Sequence, residues 1–132
     1  MKDTFRAGAI ARYETVVTEE MLPLLDGERV FPVVATASVL HVMEAASRRL
    51  MREHLDDHEE ALGCAVSLEH LATCGVGKKL NATAELVEYR HHRARIHVAV
   101  FDEDRLIATG IHIQRVMHRD RALAAIDAGC SA

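Results

Sequence analysis

The sequence has few of the features that mark membrane, secreted or nucleic-acid-binding proteins. It contains no Trp and only two Pro residues, and aromatic residues make up 4% of its 132 residues. No apolar run approaches the ~20 residues that span a bilayer, and the first residues lack the apolar stretch of a signal peptide. A net charge of −4 gives no reason to expect a nucleic acid or a membrane as partner. An anionic ligand would need a local basic patch.

Cysteine is also scarce, with only Cys64, Cys74 and Cys130 in the chain. Their odd number and irregular spacing favour free thiols and a reducing compartment, so we expect a cytoplasmic protein. Hydrophobic residues account for 49% of the chain and charged residues for 27%, a balance typical of soluble globular proteins. The length predicts a single domain over residues 1–132.

Hydrophobic periodicity predicts one long helix followed by a run of strands. Strands are expected at 9–18, 63–73, 80–90, 93–101 and 105–117, a long helix at 36–55, a short helix at 120–128, and irregular structure at 19–33. Short connections between the later strands imply antiparallel neighbours. One helix against one antiparallel sheet is an α+β arrangement. The pattern alone does not distinguish a hotdog fold, with a curved sheet around a central helix, from a cone-shaped sheet.

Three polar residues stand out because their neighbours are apolar. Glu44 lies on the apolar stripe of the long helix, where a carboxylate is costly unless it lines a wet cleft; alternatively it faces solvent and pairs with Arg48. His70 shares a strand face with apolar residues and is either a core imidazole or a proton carrier. Thr36 either caps the helix or places a hydroxyl at its electropositive end.

Spacing brings these residues into one hypothesis. Thr36, Leu40 and Glu44 are four residues apart and therefore follow one side of the helix. If the strand face that carries His70 packs near that side, a carboxylate, a hydroxyl and an imidazole meet in one apolar cleft. Such a set of groups suits acyl transfer to water.

Two segments carry a resemblance to a known family. The run from Val34 to Ala46, with Ala35-Thr36 and Met43-Glu44, resembles the fluoroacetyl-CoA thioesterase family of hotdog proteins. The strand that runs from Gly63 to His70 is similar in the same way, and Gly110-x-His112 is a weaker third match. The resemblance covers most of the chain and implies a single hotdog domain with a five-stranded antiparallel sheet.

The resemblance also implies an activity and a site. It implies hydrolysis of a short acyl-CoA, with Glu44 as catalytic carboxylate, Thr36 orienting it and the acyl group, and His70 handling protons. The backbone N–H of Gly63 matches a position that holds the substrate carbonyl. Coenzyme A enters as part of the substrate, so no separate cofactor or metal is expected. Family members are dimers with clefts between protomers, which makes a homodimer the expected assembly.

The sequence departs from the family pattern in two places. Residues 19–33, which precede the helix, are shorter than the family's lid, and Phe31 is their only aromatic residue. Specificity for a fluorinated acyl group is therefore unsupported. The family often has Arg two residues after the last-strand His, where this chain has Gln114 followed by Arg115.

Other functions compete with this hypothesis. A metal site could use histidines of the predicted hairpin, although no spacing matches a zinc motif; the residues are His91, His92 and His97, with His112 and His118 nearby in sequence. Cys64 as a nucleophile lacks a basic neighbour in sequence. A non-enzymatic hotdog that binds acyl-CoA or another small apolar ligand is the main alternative, and a hotdog dehydratase is a further one.

Overall fold

A computed structural model describes residues 1–129, so Cys130 lies outside the described residues. The elements, in chain order, are β1 (Ile10–Val16), a short 3-10 helix (Glu19–Met21), β2 (Leu24–Leu25), β3 (Glu28–Arg29), α1 (Thr36–His54), β4 (Glu59–His70), β5 (Lys79–Arg90), β6 (Arg93–Asp102), β7 (Arg105–His118) and α2 (Arg119–Asp127). Within residues 1–129, no helix has the length and apolarity needed to cross a membrane.

Five strands form one antiparallel sheet in the order β1-β5-β6-β7-β4. The buried side of α1 packs against one face of this sheet and contributes Val39, Val42, Met43, Ala46 and Leu50 to the core. Alternate residues of β5 and β6 are buried beneath it, as a period of two requires: Ala82, Ala84, Leu86, Ala94, Ile96, Val98 and Val100. The predicted α+β fold, a hotdog sheet around one long helix, is confirmed.

The predicted bounds of β4 are wrong at both ends. The strand begins at Glu59 instead of residue 63 and ends at His70 instead of residue 73. Acidic residues at 59 and 60 suggested a solvated turn, but both pair with β7. A register shift between Gly63 and Ala65 inserts Cys64 as an extra residue, so this side chain leaves the apolar alternation and is exposed.

Residues 19–33 are more ordered than the expected irregular segment. They contain the 3-10 helix and the β2–β3 hairpin, whose turn uses Asp26 and Gly27 at positive φ. Two-residue strands are too short to show a periodicity in sequence, which explains why the pattern missed them. The hairpin region exposes four apolar side chains, at positions 24, 25, 30 and 31.

Strand β4 lies at one edge of the sheet and has only β7 as a neighbour. Residues from Gly63 to Ser67 are exposed there, and the side chain of Val66 is 45% exposed. A free strand edge of this kind is a template for pairing with another chain.

Candidate active site

The hydroxyl of Thr36 lies next to the imidazole of His70. Thr36 is the first helical residue of α1; the N-cap position is Ala35, which has no side-chain hydrogen bond, so of the two roles considered for Thr36 the capping role is wrong. Instead Thr36 Oγ1 is 2.9 Å from Nδ1 of His70, the last residue of β4. The other ring nitrogen of His70, Nε2, is buried and has no hydrogen-bond partner among residues 1–129.

Glu44 lies two turns further along α1 and lines a cavity that neither Thr36 nor His70 lines. This cavity has a volume of about 560 Å³, and its walls include Gly63, His112 and Gln114. The carboxylate is exposed, and the alternative pairing with Arg48 does not form, because Arg48 Nη1 donates to Glu60 Oε1 at 2.7 Å. Within the described part of the chain, Glu44 has no ion pair or hydrogen bond and is free to act on a ligand.

His112 is a site residue that the sequence indicated only through the weak Gly-x-His match. Its side chain is 4% exposed and packs over Gly63, where an added Cβ would lie 2.9 Å from His112 Nε2. Burial lowers the pKa of His112 below its usual value, and the negative charge of Glu44 partly opposes that change. The cavity therefore places a neutral imidazole near the Glu44 carboxylate at neutral pH.

Gly110, two residues before His112 in β7, allows this strand to come close to α1. A Cβ at Gly110 would lie 1.9 Å from the Ser67 carbonyl oxygen and 3.0 Å from Met43 Cε. Only glycine fits between the edge strand and the helix at this point. The Gly110-x-His112 motif thus sets the approach of the strands and the position of the imidazole.

A single chain holds its candidate site residues in two separate groups, which we call half-sites. The first consists of Thr36 and His70; the second consists of Glu44 and Gly63, with His112 beside them. Thr36 and Glu44 are eight residues apart on α1, which is about 12 Å along the helix axis, and neither Thr36 nor His70 lines the Glu44 cavity. The expected meeting of all three predicted catalytic groups therefore does not occur within one chain.

The histidines considered for a metal site do not bring their ring nitrogens together as a ligand set within residues 1–129. His91 and His92 form the β5–β6 turn, whereas His97 Nε2 lies 2.9 Å from Thr109 Oγ1 on the sheet. Across residues 1–129, three potential ligands come together only at Asp56, His58 and Glu59, and both carboxylates there contact the Met1 amine.

The two described cysteines have no catalytic arrangement. Cys64 is exposed, and its thiol lies 3.5 Å from the Ile113 carbonyl oxygen, to which it donates. Cys74 is buried, and burial raises its pKa, which favours an inert thiol.

Comparisons with known proteins point to one family. The family model described as "Fluoroacetyl-CoA-specific thioesterase" matches residues 17–120. The chain is 30% identical over 127 residues to a fluoroacetyl-CoA thioesterase of Streptantibioticus cattleyicolor, covering 92% of this chain and 91% of that protein.

Solved structures agree with that match. A hypothetical protein of Thermus thermophilus, described as a thioesterase superfamily member, superposes with a TM-score of 0.89 at 28% identity and covers 92% of this chain and 90% of its own. A Thr-to-Ser variant of the fluoroacetyl-CoA protein, in complex with acetyl-CoA, gives a TM-score of 0.86 at 26% identity over 96% and 100% of the two chains.

Proposed function

The chain belongs to the fluoroacetyl-CoA-specific thioesterase family, and we propose that it hydrolyses a short acyl-CoA to the free acid and coenzyme A with Thr36, Glu44 and His70. The observation that supports this site is the pair of complementary half-sites along β4. One supplies the Glu44 carboxylate beside the Gly63 backbone, and the other supplies a hydroxyl and an imidazole.

The reaction needs attack on the thioester carbonyl and departure of a thiolate. The Glu44 carboxylate drives the attack, either by taking a proton from water or by forming an acyl anhydride that water then opens. The C–S bond breaks, and His70 supplies the proton that the CoA thiolate takes up. The N–H of Gly63 holds the carbonyl oxygen, and Thr36 positions His70 and the acyl group. The products balance with water alone, so the proposal requires no cofactor or metal.

A homodimer would complete the site. Residues 63 and 70 are seven positions apart on β4, a span of roughly 20 Å. If two copies pair their β4 edges antiparallel about a twofold axis at Ser67, and Cys64 is bulged out of the register, Gly63 of one copy faces His70 of the other. Each of the two clefts then receives Glu44 from one copy and the Thr36–His70 pair from the other.

Matched substitutions test the dimer. Val66 on the free edge and Val87 on β5 are both 45% exposed, so each can be changed to Asp without opening the core. We expect Val66→Asp to give monomers in sedimentation equilibrium and to lose hydrolysis, because each copy would bury an unpaired carboxylate in the paired strands beside the twofold axis. Val87→Asp should remain dimeric and active. A dimeric, fully active Val66→Asp protein would contradict the proposed interface.

The activity itself is tested with a panel of acyl-CoA thioesters. Purified protein is incubated with fluoroacetyl-, acetyl-, propionyl- and longer acyl-CoAs, and release of free thiol is followed. We expect turnover of short chains. If every substrate binds but none is cleaved faster than in buffer, the protein is a ligand-binding hotdog, the alternative that the sequence left open.

The location of this activity stays a prediction. A cytoplasmic protein fits a CoA-linked substrate, and the two described cysteines are both free thiols, as a reducing compartment requires.

A further inference from the structure

A second cavity lies at one end of the sheet, between the β5–β6 turn and the junction of β7 with α2. It has a volume of about 450 Å³, and three arginine side chains line it: Arg93, Arg115 and Arg121. Across residues 1–129, none of the three makes an ion pair or a side-chain hydrogen bond. The cavity therefore carries uncompensated positive charge in a chain whose net charge is −4.

Two of these arginines face each other. Arg93 of β6 and Arg115 of β7 are direct cross-strand partners, so their side chains project from the same face of the sheet. Like charges directly opposite each other destabilise a sheet. The carboxylate in the cavity wall, Glu59, does not relieve this repulsion, because its Oε1 accepts the Asp56 N–H at 3.0 Å and lies 2.5 Å from the Met1 amine.

The backbone conformation of the turn that closes the cavity is also energetically unfavourable for its residues. His91 and His92 connect β5 and β6 with φ values of 53° and 61°, the left-handed conformation that a two-residue hairpin requires. Asn-Gly is the sequence that adopts such a turn easily, whereas a side chain such as His is strained there. The same turn places both imidazoles in the cavity wall.

Two further imidazoles complete the wall. The rings of His58 and His118 have centroids 5.3 Å apart. Nδ1 of His118 accepts the Asp120 backbone N–H at 3.2 Å, which leaves Nε2 as a donor toward the cavity.

We propose that this cavity binds phosphate groups, with the arginines and the His91–His92 turn as ligands. Guanidinium groups bind phosphate through two parallel hydrogen bonds, and a bound anion would turn the Arg93–Arg115 repulsion into attraction. Arg115 is exposed between the buried residues Gln114 and Val116 and pairs with Leu62 of β4, so this cavity and the Glu44 half-site lie on opposite faces of the same pair of strands. The phosphates of an acyl-CoA substrate are one source, an inference that rests on the proposed function, and free pyrophosphate is the other.

Titration calorimetry with pyrophosphate and with coenzyme A tests the site. We expect both to bind the wild-type protein, and we expect the double variant Arg115→Gln/Arg121→Gln to bind each at least about tenfold more weakly. Arg12→Gln, which removes one arginine charge from β1 at the far edge of the sheet, should leave binding unchanged. If the wild type binds neither ligand, or the double variant binds both as the wild type does, the proposal is overturned.

The turn provides a test that separates binding from folding. His91→Asn/His92→Gly introduces the preferred turn sequence, so the melting temperature should rise. Pyrophosphate binding should nevertheless weaken, because two imidazoles are lost. Unchanged pyrophosphate affinity in this more stable variant would overturn the assignment of the turn to the site.

Kinetics then distinguish the two sources of phosphate. An acyl-pantetheine presents the same thioester without the phosphates of coenzyme A. If those phosphates occupy the cavity, Arg115→Gln/Arg121→Gln should lower the ratio of kcat/KM for acyl-CoA to kcat/KM for acyl-pantetheine by about tenfold. An unchanged ratio with weakened pyrophosphate binding identifies a separate phosphate ligand. If the proposed function is wrong, the wild-type protein will hydrolyse neither thioester. The pyrophosphate titration will still measure binding to the cavity, so the two failures can be distinguished.

Discussion

The Thr36 hydroxyl lies 2.9 Å from Nδ1 of His70, so the first residue of the helix holds the last residue of the edge strand. This contact fixes the ring while the buried Nε2 keeps a free hydrogen-bonding position. A threonine that could have been a simple cap is thereby part of a two-residue unit.

Removal of this hydroxyl should impair turnover more than stability. We expect Thr36→Val to lower kcat about tenfold to a hundredfold, because His70 loses the group that orients it. Thr36 is exposed in the single chain, so its free energy of unfolding should change by only about 0.5 kcal/mol. Thr36→Ser keeps the hydroxyl and should retain most activity. Equal losses in the Val and Ser variants would show that the hydrogen bond is not what matters.

Glu44→Gln should abolish thioester hydrolysis while leaving the fold intact. The side chain is exposed and unpaired, so the amide costs little stability, whereas loss of the carboxylate should reduce kcat by about 10²–10⁴-fold. Glu53→Gln changes an exposed glutamate on the same helix and should have wild-type rates. Wild-type kcat for Glu44→Gln would remove Glu44 from the mechanism.

The sequence predicted the sheet best where burial is one-sided. Ala94, Ile96 and Val98 alternate with Arg93, Arg95 and His97, and that period fixed β6 within one residue. It failed along β4, where the bulge at Cys64 breaks the alternation and polar residues at 59 and 60 continue the strand. Strand pairing, which no local pattern records, decided those bounds.

Substitution of Gly63 tests the contact with His112. A Cβ there would lie 2.9 Å from Nε2 of the buried ring, so Gly63→Ala should destabilise the protein by about 1–3 kcal/mol and slow hydrolysis. His112→Ala in the same chain should recover part of that loss, which a double-mutant cycle measures. Gly75→Ala is the control, since its Cβ would approach only the Pro32 carbonyl oxygen, at 3.8 Å. Additive effects of the Gly63 and His112 substitutions would contradict the contact.

The lowered pKa of His112 predicts a pH-dependent stability. Above the ordinary value of 6.5, the imidazole is neutral in both the folded and unfolded states. As pH falls below 6.5, the unfolded chain binds the proton first, so the free energy of unfolding should fall until the lowered pKa is reached. Urea denaturation at pH 7.5 and 5.5 measures this loss. It should be smaller in His112→Gln than in the wild type, while His97→Gln, a change at an exposed histidine, should resemble the wild type.

The sequence identified the types of residue in the candidate site but not their arrangement. Spacing of four placed Thr36 and Glu44 on one side of α1, yet eight residues separate them by about 12 Å. The sequence did not predict His112 as a site residue, because the position of a histidine in a strand does not indicate which residues it packs against. Its contact with Gly63 arises only when β4 pairs with β7.

Mixing two inactive variants tests the shared site most directly. Glu44→Gln and His70→Asn proteins are denatured, mixed in equal amounts, refolded and assayed with the best acyl-CoA substrate. Half of the dimers then pair one chain of each kind, and one of their two clefts receives an intact Glu44 and an intact His70. We expect recovery of roughly a quarter of wild-type activity. A mixture as inactive as either variant alone would contradict it.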